Sequence, residues 1–176
     1  MVTAKISVLL ALVAPYLCTF IHGPAKMILL KAEDCQDVHN LTVKSSVRMH
    51  MYNRTTQVVD ANFSIPFDID HTIVFNMKCS RLDKKQNSFT ISGRDACHVL
   101  TNFVGDLWLN WEEHLGIPPF CPIKKGSYSV KNFYLDLSLL KIKTIFEGFF
   151  YSRVIMKKDE VMFFCMDFEV KLEQKI

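Results

Sequence analysis

This sequence is short of the residue patterns that carry catalysis. It has no GxSxG elbow, no HExxH pair, no CxxC and no glycine-rich phosphate loop, which points away from the common hydrolase, metallopeptidase, redox and nucleotide-binding designs. Glycine and proline are scarce, six of each in 176 residues, and they form no linker, repeat or low-complexity tract. The net charge is only +3, too little for a nucleic-acid footprint, so no nucleic-acid partner is expected. His39, His50, His71, His98 and His114 are scattered without metal-ligand spacing, so no metal and no cofactor are expected.

What is present begins at the N-terminus. Lys5 is the only charge in the first 25 residues, and residues 6–21 are apolar except Ser7 and Thr19. This run is shorter than the roughly 18 residues a membrane span needs. Gly23 and Ala25 follow at small-residue positions of a cleavage site. The reading is a secretory signal peptide over residues 1–25, removed to leave a secreted, extracellular domain over residues 26–176; an uncleaved anchor is the competing reading. Three sequons, at Asn40, Asn53 and Asn62, are expected glycosylation sites on an exported chain.

Apolar residues then alternate. Leu41, Val43, Val47, Met49 and Met51 form one such series, Val59, Ala61, Phe63 and Ile65 a second, and Ile73, Phe75 and Met77 a third. Residues 149–156 and 161–172 flank the charged turn "KKDE", with Met162, Phe164, Met166, Phe168, Val170 and Leu172 on one face of the last run. Period two in short segments predicts half-buried antiparallel strands. The expected fold is all-β, an antiparallel sandwich or cup of seven to nine strands.

One segment has a different period. Leu100, Val104, Leu107, Trp108, Trp111 and Leu115 repeat at helical spacing and form one stripe. Ser92 with Asp95 resembles a capping box, and Gly116, Pro118 and Pro119 stop the helix. Trp108 and Trp111 read first as core members of this stripe, with the mouth of a pocket as the alternative.

Beyond the leader there are five cysteines, Cys35, Cys79, Cys97, Cys121 and Cys165. One is left over, and fifteen arrangements remain open. A bridge from Cys35 to Cys165 would close about 130 residues and contribute roughly 4–5 kcal/mol in the loop-entropy model. A bridge from Cys97 to Cys121 carries a condition. A straight helix from Cys97 to Leu115 spans about 27 Å, while the six steps back to Cys121 reach about 20 Å. That pairing requires a broken helix, and Gly105 with Asp106 is where the break is expected.

The chemistry-bearing residues favour plain roles. Neighbours on a helix point about 100° apart, so Cys97 and His98 form no thiol–imidazole pair. Glu112, Glu113 and Asp136 read as solvated carboxylates. Lys124 and Lys125 read as a solvated turn, or as cations for an anionic head group.

The stretch "CPIKKGSYSV", residues 121–130, resembles the CPxKxGxY signature of the ganglioside activator proteins and of related insect secreted families, including the CheB chemosensory proteins. These lie in or near the ML (MD-2-related lipid-recognition) group. The order of other features is similar too: an early cysteine, Asp-x-Cys at residues 95–97, "EGFFYSRVIM", and a cysteine in "VMFFCMDFEVKL". The resemblance implies a β-cup holding a lipid or other long apolar ligand between two splayed sheets. It implies bridges Cys35–Cys165 and Cys97–Cys121, with Cys79 unpartnered. Activator proteins carry further cysteine pairs that are missing here, so the closer likeness is to the CheB branch.

The residues themselves add one argument. Fourteen phenylalanines and eight methionines are more than a small sandwich needs for closure, and such side chains line irregular apolar space. Expected cavity residues are Phe103, Trp108, Trp111, Phe149, Met162, Phe164 and Phe168. The expected function is a non-enzymatic carrier or presenter of a lipid-like ligand, with chemosensation as one setting and membrane-surface or receptor contact as an accompaniment. The alternatives are an interaction module with a filled core, or a glycolipid activator for a hydrolase.

Overall fold

The computed structural model describes residues 20–21, 25–82, 88–119, 121–141 and 145–174. The leader expected over residues 1–25 lies outside these residues except at Phe20, Ile21 and Ala25. Among the described residues no helix is long and apolar enough to cross a membrane.

The alternating runs form strands. In chain order these are β1 (Phe20–Ile21), β2 (Ala25–Asp34), β3 (Lys44–Met51), β4 (Gln57–Ile65), β5 (Val74–Arg81), β6 (Ser88–Gly93), β7 (Gly126–Phe133), β8 (Ile145–Phe146), β9 (Gly148–Lys158) and β10 (Val161–Gln174). Eight of them build two antiparallel sheets, one ordered β2-β10-β9-β5-β6 and the other β3-β4-β7, while β1 pairs only with β8. The all-β sandwich read from the sequence is the observed fold.

The charged turn joins β9 to β10 as a two-residue hairpin, with Val161 opposite Lys158. Asp159 and Glu160 both take positive φ, 48° and 62°, as the hairpin turn that matches strand twist requires. We call this pole of the sandwich the hairpin end. Beyond the turn the register slips between Met162 and Phe164. The extra residue, Phe163, is buried in the core, so the period-two assignment of Met162 to the inner face fails. A bulge moves one residue out of phase with the rest of its strand.

The two bridges are Cys35–Cys165 and Cys97–Cys121, with Cα atoms 5.5 and 5.9 Å apart. Cys79 is a buried free thiol. The first bridge ties the end of β2 to β10, where Cys35 N–H also donates to the Cys165 carbonyl. On the outer face nearby, Arg153 holds Asp167 and Asp37 through paired hydrogen bonds of 2.8 and 2.9 Å.

The helical segment breaks where the bridge requires. Helix α1 (Ala96–Val99) passes into a π turn (Leu100–Val104), and helix α2 (Asp106–Leu115) begins after Gly105. Gly105 has φ 64° and ψ −134°, a conformation that glycine adopts without strain. A Cβ there would come within 2.7 Å of Lys141 Cγ. The capping box is not the one expected. Ser92 ends up in β6, and Asp95 alone caps α1 by accepting from His98 N–H at 3.0 Å. Gly116 closes α2 in the left-handed region, φ 66°.

Candidate functional site

The two sheets meet along one side only. At the β2/β3 seam Ser45 Oγ donates to Asp34 Oδ1 at 2.6 Å. The Gln57 carboxamide pairs with both the N–H and the C=O of Leu29, at 2.8 and 3.0 Å. On the other side β6 and β7 stand apart, and the broken helix fills the gap as a V. Its first arm is tied by the Cys97–Cys121 bridge to the segment that runs from α2 to β7 at the hairpin end. Its apex, at Gly105, reaches the segment after β7, close to Leu139 and Lys141.

Inside lies a cavity of about 380 Å³, within the range of small-ligand sites. One wall is the larger sheet, through Phe75, Met77, Val154, Met156, Phe164 and Phe168. The opposite wall is the smaller sheet, through Val47, Val59, Ala61, Phe63 and Phe133. The whole predicted stripe of the V faces the cavity: Leu100, Val104, Leu107, Trp108, Trp111 and Leu115. Trp111 packs edge-on against Phe133 at 4.6 Å and tilts against Phe63 at 5.6 Å.

No charged side chain is on this wall. Tyr128 brings a hydroxyl, and that group already donates to the Lys124 carbonyl. A ligand carboxylate or ammonium inside would therefore be buried without a counter-charge, at high cost.

Four of the seven expected cavity residues are on the wall: Trp108, Trp111, Phe164 and Phe168. Three are not. Met162 lies on the far side of the bulge, and Phe163 takes a cavity position instead. Phe149 is 44% exposed and lies opposite Lys171; strand parity gives the inward position to Phe150, which is buried. Phe103 is 41% exposed, because the stripe runs through Leu100, Val104 and Leu107 and leaves Phe103 on the outer side of the π turn. The sequence signal missed at Met162 was a bulge, which does not change residue type.

The polar candidates have structural partners. Lys124 Nζ binds Asp68 Oδ2 at 3.0 Å, and the Lys125 N–H donates to Asp68 Oδ1 at 2.8 Å. These contacts, the Lys125 N–H first, hold the Asp68 carboxyl below the usual carboxylate range. Lys124 is therefore already paired, while the Lys125 side chain is exposed. Glu112 is buried and not solvated, since it follows Trp108 by four residues and shares the packed side of α2. Glu113 is exposed as expected, and Asp136 caps a short 3-10 turn by accepting from Ser138 N–H.

His71, Asp95 and Cys97 bring potential metal-ligand atoms within 4.8 Å of one another. The Cys97 sulfur is committed to its bridge and Asp95 to its cap, so the group lacks a thiolate. Burial pushes the Cys79 thiol up, and Ser152 Oγ donates to its sulfur at 3.1 Å; such a thiol is inert. Asn40, Asn53 and Asn62 are all exposed.

Residues 73–151 match the profile of a family described as a protein of unknown function, DUF1091. The matched span runs from just before β5 into β9 and includes the whole V and the CPIKKGSYSV stretch. No curated protein matches the chain.

Proposed function

We propose that this chain is a secreted, non-enzymatic carrier or presenter of a lipid-like apolar ligand held between the two sheets. The observation that carries the reading is the cavity of about 380 Å³, whose wall is predominantly apolar and holds no charged side chain. An interaction module with a filled core would have no use for such a space. Two disulfides suit an oxidising compartment. The likeness of residues 121–130 to the ganglioside-activator and CheB signatures, inside the DUF1091 span, supports a relation to the ML lipid-recognition group and a chemosensory setting. A glycolipid-activator role is the weaker branch, because the wall offers no charged partner for a head group.

The test is delipidation followed by titration with an apolar fluorescent probe, with mass spectrometry of lipid that co-purifies from a secreting host. Saturable binding at one site per chain is expected. No uptake and no co-purifying lipid would overturn the carrier reading and leave the interaction module.

A further inference from the structure

We infer that the helical V is the door of the cavity: its apex swings out of the gap between β6 and β7, while the Cys97–Cys121 bridge anchors its first arm to the segment that leads into β7. The inference rests on the carrier reading for what passes through the door, but the motion itself is independently measurable.

The perimeter of the cavity is closed unevenly. The seam of β2 with β3 and with the start of β4 is hydrogen-bonded. At the hairpin end, Ile69 and Ile123 exchange two backbone hydrogen bonds of 2.8 and 2.9 Å, and Val43 N–H donates to the Phe163 carbonyl. The ends of the V share this anchorage. Ala96 N–H donates to the Ile73 carbonyl at 2.8 Å, and Asp95 caps α1 while pairing with His71 at 2.8 Å. Val99 lies against Gly93 so closely that a Cβ on that glycine would meet it at 2.5 Å.

The apex is held differently. Among the described residues, the hydrogen bonds of its turn stay within the V: Thr101 Oγ1 to the Cys97 carbonyl, Gly105 N–H to the Leu100 carbonyl, and Trp108 N–H to the Gly105 carbonyl. Among the described residues packing seats it, with Gly105 against Leu139 and Lys141 and the stripe against the cavity. Moving the apex therefore breaks none of the described hydrogen bonds to either sheet, whereas opening the seam at β2 or the hairpin end does. Segments without such bonds open at the lowest free energy. The π turn and the positive-φ glycine lie at the bend, so the angle between the arms changes by rotation at one residue that tolerates it.

Two measurements test this. Amide hydrogen exchange on the intact protein, with and without N-phenyl-1-naphthylamine, reads the motion directly. Residues 100–111 are expected to exchange faster than β5, β9 and β10, and to slow when the probe is bound. Stopped-flow release of the same probe reads the door. In Gly105→Ala the added Cβ meets Lys141 and the positive φ is strained, so the apex should unseat and release should quicken about tenfold. Cys97→Ser/Cys121→Ser should also release faster while keeping the probe stoichiometry.

Protection at residues 100–111 equal to that of β9 and indifferent to probe would overturn the door, as would unchanged release in both variants. If Gly105→Ala does not fold, the exchange pattern of the unmodified chain still decides. If the unmodified chain takes up no probe, the carrier reading falls, and exchange alone decides whether the V opens.

Discussion

Asp167 shows how one outward-facing residue ties the surface together. Arg153 donates to both its oxygens at 2.8 Å and Tyr151 Oη donates to Oδ1 at 2.6 Å. Arg153 foremost, and Tyr151 with it, holds the Asp167 carboxyl below its ordinary range despite partial burial. A folded-state pKa below the unfolded value of about 3.9 stabilises the fold above that pH. The contribution is lost as pH falls through the folded value. Asp167→Asn should thus cost roughly 1–3 kcal/mol at neutral pH. Its urea midpoint should fall less steeply than that of the unmodified protein below about pH 4. Parallel curves for the two proteins from pH 6 to 2 would show that the contact contributes nothing. None of this pairing was legible in the sequence, because Asp37, Arg153 and Asp167 come from three separate segments.

Among the elements, the helical V and the last strand show the two limits of pattern reading. The V was largely legible: its stripe and its stop at Gly116 follow from residue type, and its break at Gly105 follows from the reach of the chain once the Cys97–Cys121 pairing implied by the family resemblance is granted. Strand β10 was only partly legible, because the slip at Phe163 leaves no compositional trace. The bridges divide in the same way. Removing Cys35–Cys165, which closes 130 residues, should cost up to roughly 4–5 kcal/mol in the loop-entropy model, against about 3 kcal/mol for the 24-residue loop of Cys97–Cys121. Urea denaturation of the two double-serine variants checks the order. A larger loss from Cys97→Ser/Cys121→Ser would mean that the helix staple governs global stability and not only the cavity.

The described fold is a cup with a seam on one side and the V on the other, and on the carrier reading proposed above its ligand selectivity follows from what the wall lacks. With no counter-charge inside, affinity should grow with apolar surface. Each added methylene contributes about 0.8 kcal/mol, or roughly fourfold in Kd, until the cavity is full. A homologous series of neutral esters measured by probe displacement should rise and then plateau, and the free acids should bind more weakly. A flat series would contradict burial as the driving force. Ala61 lies on the wall and is itself buried. Ala61→Phe should abolish binding at little cost in stability if its ring enters the cavity, whereas overpacking a filled core costs about 1–3 kcal/mol.

Local pattern determined a good deal here: strands from period two, a helical segment from its stripe, and a chain poor in catalytic chemistry. Those properties depend on near neighbours, and near neighbours are what a sequence records. Tertiary structure alone decided that the sheets join at one edge and part at the other, so that the stripe of the V faces a cavity and not a filled core. It also decided that Phe163 displaces Met162, and that Lys124 is already paired with Asp68. Each of these depends on which distant segments meet, set by register slips and sheet spacing that residue type does not encode.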